Sequence, residues 1–500
     1  MRTAIGTLLA VVAGVGGYCP EYSRYSQQKH EPLSAGRYQL SAMRPAPACR
    51  TFNSSVVEET IVEMQSVVKD PDLYRLFENA FPNSLDTAVR WKGFAAGDGE
   101  EEYVFVLLTF LITGDINAMW LRDSANQMQS YLTLLHASSS PDSLASLYRG
   151  VINLQARYIL SAPHCNSFQP PVESGLAPSQ NQAKPDVFTP PVASDTAFEC
   201  KWELDSLAAF LQISTDYYEA TGDAEFFGKY RWVDAVKTIL ETTEALLIGT
   251  YAADGSVNQS PYTWTRETTI ATETLTNSGR GNPVRDGTGL IRSAFRPSDD
   301  AYVPPTTFQL FIPANMMFSR YLDAASRIMA AVGTHEDLAT RMHDFSRSLR
   351  DAITTHGIVD DRTYGQVYAY EVDGFGSANR MDDANIPSLL SAPFIGYLDA
   401  SDPVYQNTRR IGGPHVGLGK AWPMASIVRI LTSNDTREME SALKEIVSST
   451  DGLGLIHESI DSSDERRWSR PWFSWANGLF GQCLLDLKSR RPEVLGLSYQ

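Results

Sequence analysis

Positive charge is scarce and unclustered. The chain carries 42 Lys and Arg against 59 Asp and Glu, a formal net charge of −17, and no run of basic residues forms a stripe. Nucleic acids and anionic membranes are held by concentrated positive charge, so neither partner is expected. Cysteine is equally sparse: Cys19, Cys49, Cys165, Cys200 and Cys483, an odd count with no C-x-x-C pair. No zinc site is supported, and no cofactor is expected. There is no Gly-rich loop suited to phosphate, no internal repeat, and no composition shift to mark a domain boundary. Long apolar runs are missing too, apart from Ala4 to Gly17. At about fourteen residues behind Arg2, that run is short of the roughly 20 that a spanning helix needs. Its length, basic flank and small residues suit a secretory leader, with an uncleaved anchor as the alternative. The expected location is therefore extracellular, with no stable membrane contact once the leader is removed, or else the secretory lumen if the anchor stays. Sequons at Asn53, Asn258 and Asn434 fit that route, although chance alone supplies several in a chain this long. In an oxidising compartment Cys165 and Cys200, on either side of a Pro-rich loop, suit a bridge; the full connectivity is not readable.

What is present is the composition of an ordinary soluble protein: 500 residues, 43% apolar and 20% charged, enough for a large core. Disorder, collagen and a disulfide-dense miniature are excluded. Residues 1–17 read as the leader, 18–52 as an extended polar arm, 53–490 as one domain and 491–500 as a tail. The dominant periodicity is helical. Leu144, Leu147, Tyr148, Val151, Leu154 and Tyr158 share one helix face, as do Leu207, Phe210, Leu211 and Tyr218 ahead of a capping Gly222. Further runs start at Trp232, Met317 (closed by Gly333), Leu338, Ile427, Met439 and Trp475. Strand-like alternation is confined to Tyr103–Ile112 and Val367–Val372. Many paired helices and few strands predict an all-α toroid rather than an alternating βαβ sheet. The long loops Asn166–Pro191 and Asn277–Pro305 are the expected carriers of function.

Several loop segments combine carboxylates, aromatics and Arg: Thr113–Ser124, Phe198–Ser206, Phe295–Ala301, Tyr370–Asp383 and Ile456–Trp475. Gly412–Pro423 adds His415 and a Trp. Sugars offer flat apolar faces edged by hydroxyls, which aromatic rings and bidentate polar groups match. Cleaving a glycosidic bond further needs two carboxyl groups, one protonated and one ionised. Each residue has a plainer reading as well. Asp299–Asp300 suits a solvated turn or a helix start, Glu458 beside His457 an ordinary ion pair, Asp123 after Arg122 a structural pair, and Phe473 and Trp475 the core.

The order of the segments is more specific than any one of them. ITGDINAMWLRDS, KWELDSL, AFRPSDDA, YEVDGFGSANRMDDANIPSLLSAPFIGYLD, GPH followed by WPMAS, and HESID with WFSWANGLFG together resemble glycoside hydrolase family 125, the exo-α-1,6-mannosidases. The likeness runs from about Phe52 to Leu487, and HEPLSAGRYQLSAMRP is similar to the fungal branch. The resemblance implies an (α/α)6 barrel that releases terminal α-1,6-linked mannose from an oligosaccharide or N-glycan, without metal and with inversion. It implies Asp299 as general acid and Glu458 as general base. Asp115, Arg122, Asp123, Asp205, Asp300, Asp373 and His415 are then candidates to hold the terminal sugar, with Trp120 and Trp475 as apolar walls. Two rivals remain: a glycosidase of the same barrel class acting on α-1,2-mannosides or glucosides, and a silent glycan-binding protein. Nothing identifies a protein partner. Val106–Ile112 is longer and more apolar than the family pattern, which fits either a strand extension or an extra segment, and the His415–Trp422 loop lacks the expected aromatics.

Overall fold

The computed structural model describes residues 19–96, 105–181, 186–297, 305–411 and 419–500. The leader, and with it the choice between signal and anchor, lies outside the described residues. Among the described residues no helix is long and apolar enough to cross a membrane.

Among the described residues twelve helices of nine residues or more organise the fold: α1 Ser55–Val67, α2 Pro71–Ala80, α3 Leu121–Gln129, α4 Leu144–Ser161, α5 Leu204–Thr221, α6 Trp232–Ala245, α7 Ile312–Val332, α8 Glu336–His356, α9 Pro403–Ile411, α10 Pro423–Leu431, α11 Thr436–Ser448 and α12 Ser474–Arg490. The periodic runs read from the sequence fall on α4 to α8 and α10 to α12. Gly222 and Gly333 end α5 and α7 in the left-handed conformation, at φ +68° and +78°, where a side chain would strain the backbone.

Two classes of helix follow from the pattern of burial. All nine residues of α3 are buried, as are the first fourteen of α5. α8 and α11 instead bury one stripe and expose the other, as a helix facing water on one side must. The buried helices adjoin one another: α5 packs against both α3 and α7, and α12 against both α3 and α10. The striped ones lie outside them, α8 on α7 and α11 on α10, while α2 lies on α12. A fully buried Leu or Phe stabilises by about 1.5–3 kcal/mol, so this double layer supplies most of the cohesion.

The six sheets among the described residues are small, with two or three strands each. The longest pairing is antiparallel, β1 Val89–Ala96 with β2 Phe105–Leu111. Residues 106–111 of the longer and more apolar stretch noted in the sequence belong to this pairing. The segment is a built-in strand: Leu108, Phe110 and Leu111 are buried, Asn153 Nδ2 on α4 donates to the Leu107 carbonyl (3.0 Å), and Gln127 Nε2 on α3 donates to that of Ile112 (2.9 Å).

The segments on both sides of the domain are fastened to it. In residues 491–500, read from the sequence as a tail, Val494, Leu495 and Tyr499 are buried and the Tyr499 amide donates to Asp70 (2.7 Å). The arm is clipped by a Cys19–Cys49 disulfide that the sequence did not reveal, beside the Cys165–Cys200 bridge that it suggested; Cys483 is free and buried.

Candidate active site

A cavity of about 800 Å³ opens where α3, α5, α10 and α12 begin. The residues just before these helices, Trp120, Glu203, Trp422 and Phe473, all line it. Helix starts ordinarily carry Ser, Thr, Asp or Asn, whose side chains bond the first free amides. None of these four makes such a bond. Neighbouring chain does it at three of them, where the Leu121 amide donates to Asn166 O, the Leu204 amide to Ser293 Oγ, and the Ser474 amide to Thr113 O, while the fourth helix begins with Pro423, which has no N–H to satisfy. The cap positions are thereby free to face the cavity with two indoles, a phenyl ring and a carboxylate.

Two arginine clusters form the polar wall. Arg122 Nη1, on α3, donates to Glu203 Oε2 (2.7 Å) and Asp205 Oδ2 (2.8 Å), and Asp123 lies 3.7 Å from its Nε. All four are buried, Asp205 completely. Burial works against the guanidinium charge, but Glu203, Asp205 and Asp123 outweigh it and hold its pKa above the usual value. Burial likewise pushes the carboxyl groups of Glu203, Asp205 and Asp123 up, against the pull of Arg122. Asn166 Nδ2 donates to Glu203 (3.3 Å) and to Glu199 (2.8 Å), tying this cluster to the short strand Ala197–Glu199.

The second cluster is built on loops. Arg470 bonds Asp115 and lies 3.3 Å from Glu458 Oε1, while Glu458 Oε2 accepts from Ser469 Oγ (3.1 Å). Burial again opposes the Arg470 charge, and Glu458 and Asp115 overcome it, raising its pKa. Asp115 reaches this place because Gly114, at φ +138°, lies against the backbone of the α12 approach; a Cβ there would strike the Trp472 carbonyl oxygen. The Asp115 amide donates to that same oxygen (3.1 Å). His457 is neutral, since burial lowers its pKa to about 4.

Between the clusters, Pro297 lines the cavity, and its carbonyl accepts from Arg122 Nη2 (3.2 Å) and Asn385 Nδ2 (2.7 Å). The chain on either side of residues 298–304 is anchored at Glu371. Its carboxylate takes Arg296 Nε (2.9 Å) and the Thr307 and Phe308 amides (3.2 Å each). Asp299, Asp300 and His415 lie outside the described residues.

The structure brings Asp115, Trp120, Arg122, Asp123 and Glu458 to the cavity wall. Asp205 sits behind the wall and acts on it through Arg122. Trp475 is not an apolar wall: it is fully buried, with Arg122 6.0 Å over its ring, so it backs the arginine from the core side. Phe473, two residues earlier, holds the wall position instead. Asp373 is not brought to the cavity. Its carboxylate accepts from the Phe375 (2.7 Å) and Ser377 (3.0 Å) amides and closes the turn between Glu371–Val372 and Ala378–Asn379. Single-residue reasoning passed over Glu203, Arg470, Asn385, Lys201, Phe198 and Trp422, all of which line the cavity. The signal available for them was only the density of charge and rings in their segments. Among the described residues no group of three His, Cys, Asp or Glu side chains is placed to hold a metal.

Residues 70–485 match the family model described as metal-independent alpha-mannosidase (GH125). The chain is 44% identical over 497 residues to the meiotically up-regulated gene 157 protein of Schizosaccharomyces pombe, covering 95% of this chain and 94% of that relative. A solved Streptococcus pneumoniae protein, from a family of metal-independent alpha mannosidases linked to N-linked glycan processing, superposes with a TM-score of 0.74 at 30% identity, over 88% of this chain and 100% of its own. It was captured in a non-productive complex with alpha-1,6-mannobiose. With its cavity of paired carboxylates, arginines and aromatic rings, the chain belongs to the GH125 family of metal-independent α-mannosidases, which are glycoside hydrolases.

Proposed function

We propose that this glycosidase is an exo-acting, inverting α-1,6-mannosidase, with Glu458 activating water and Asp299 protonating the leaving oxygen. The observation that carries this reading is Glu458 on the cavity wall, with its carboxylate oriented by Arg470 and Ser469. Pro297, two residues before Asp299, lines the same cavity. Single displacement needs the two carboxyl groups about 6.5–9.5 Å apart, with water between base and sugar. Arg122 and Asp115 sit where they can take hydroxyls of the terminal mannose, and Trp120, which leans on Phe198 at 5.4 Å between ring centres, offers a face to the ring. The linkage rests on the complex formed by the Streptococcus pneumoniae relative.

The alternation of buried and striped helices supports closure into an (α/α)6 barrel. The two disulfides suit a secretory route, outside the cell or in the lumen. A panel of α-1,2-, α-1,3- and α-1,6-mannobioses and aryl glycosides tests the function. Mannose is expected from the α-1,6 dimer, with the β-anomer appearing first in proton NMR. Cleavage of α-1,2-mannosides or glucosides in its place would reject the linkage, and an α-product would reject inversion.

A further inference from the structure

We infer that the N-terminal arm positions the catalytic base: Tyr22, Tyr25 and Met43 are positioning residues that hold the Leu453–Trp472 loop in register with the cavity. The inference rests on Glu458 being that base. The arm precedes the stretch matched by the family model, which begins at residue 70, so the match itself assigns it no part in the reaction.

The loop is bonded within itself, through Ser459 to Ser469 and through Glu458 to Ser469 and Arg470. Apart from the short strands Ile460–Asp461 and Asp464–Trp468 it has no regular element, and Asp451 and Arg470 both take positive φ, +51° and +56°. The internal bonds tie the two limbs of the loop to each other; its place against the cavity depends on what it packs against. On one side it is held by α12, where Asn477 pairs with both the amide and the carbonyl of Ile456 (2.9 Å each).

On the other side it is held by the arm. Met43 is fully buried in a small cluster with Leu453 and Leu455, and Tyr25 and Trp468 pack against it. The backbones also join. The Ser41 amide donates to Gly452 O (3.1 Å), and Asn79 Nδ2 bridges Ser41 O (2.9 Å) and Gly454 O (2.8 Å). Such an approach requires glycine: a Cβ at Gly454 would come to 2.9 Å from Asn79 Nδ2 and 3.2 Å from Ser41 O.

From this cluster the contacts run to the base without a break. Trp468 stacks on His457 at 4.2 Å and 2° between planes. His457, which precedes Glu458, bonds the Arg470 carbonyl through Nδ1 (3.1 Å). Because its pKa is lowered to about 4, the ring is neutral and Nδ1 donates. Arg470 in turn grips Glu458 and Asp115. A second route leaves from Tyr22. Its hydroxyl donates to Met43 O (2.9 Å), and its ring meets Trp472 edge-on at 4.9 Å. The Trp472 carbonyl receives the Asp115 amide. Two arm residues thus reach both acidic partners of Arg470. The Cys19–Cys49 disulfide closes the arm around these contacts.

The test uses the full chain with Met43→Ala, Met43→Leu and Tyr25→Ala, and with Leu349→Ala on the far helix α8 as a packing control of similar size. kcat and KM are measured on α-1,6-mannobiose well below each melting temperature. The arm variants Met43→Ala and Tyr25→Ala are expected to lose about tenfold in kcat with KM within about twofold, as slight misplacement of a base does. Met43→Leu should restore kcat, and Leu349→Ala should lower Tm with kcat unchanged. Unchanged kcat in both arm variants, or an equal loss in Leu349→Ala, overturns the inference. Should Met43→Ala fail to fold, the half-buried Tyr25 carries the test. Wild-type protein inactive on every mannoside would sink the functional reading instead. Amide hydrogen exchange still decides the arm in that case: faster exchange at 453–470 in the arm variants, but not in Leu349→Ala, supports it, and unchanged exchange overturns it.

Discussion

The cavity has two arginine-centred walls that are alike in composition and opposite in construction. Arg122 and its carboxylates stand at the starts of α3 and α5, buried, with the core residue Trp475 behind. Arg470 and its carboxylates stand on loops, more open to solvent, one glycine turn from the α12 approach. Buried ion pairs rarely add stability over an apolar replacement, yet losing one partner is costly. The helical wall is therefore a fixed floor that tolerates little change. The loop wall can be altered with less damage to the fold, as suits the side to which the proposed reaction assigns the attacking water.

The sharpest way to separate the walls is to remove function from one and stability from the other. Glu458→Gln should lower kcat by about 10²–10⁴-fold, the usual weight of a general base, while a mannoside still binds by calorimetry and Tm moves little. Arg122→Ala should do the converse. It strands Glu203, Asp205 and Asp123 without their cation, and denaturant unfolding should show a loss of about 3–5 kcal/mol. Arg470→Gln sits between them: kcat should fall about tenfold through disorder of Glu458, with a stability loss of about 1 kcal/mol. If Arg470→Gln unfolds the protein as readily as Arg122→Ala does, the two walls are not different in kind.

Another carboxyl group shows what burial does with no arginine bonded to it. Asp216 on α5 is buried, its Oδ2 makes no hydrogen bond, and burial raises its pKa to about 8. The unfolded chain releases this proton near pH 4, whereas the folded chain keeps it until about pH 8. Stability therefore falls as pH rises through that window. Asp216→Asn should raise Tm at pH 8, by a few degrees, and leave it nearly unchanged at pH 4. A Tm gain independent of pH would show that the proton is not involved.

The helices were legible because burial imposes a period on the sequence: the Leu144–Tyr158 and Leu207–Tyr218 stripes and the glycines that close α5 and α7 follow from local rules. The segments that build the cavity were legible as strings, since loops rich in Asp, Trp and Arg have no structural need to be so. Roles inside the strings were not. Trp475 and Phe473 differ by two positions at a helix start, enough to send one ring into the core and the other to the wall. Asp373 looks like a ligand in sequence, yet two amides of its own turn satisfy it. Arg470 is one of three arginines within five residues, Arg466 to Arg470, and only the fold shows which of them faces Glu458. The Cys19–Cys49 bridge escaped because the arm has no period from which to place its ends.

The unusual helix starts around the cavity carry a warning for anyone wishing to make this enzyme tougher. Replacing Trp120, Trp422 or Phe473 with Ser or Asp is the change a thermostability programme would choose first, since a conventional cap contributes about 1 kcal/mol. Each such improvement would strip a ring from the cavity wall. Heat resistance is better sought at the outer ends of the striped helices, where no catalytic geometry depends on which residue begins the turn.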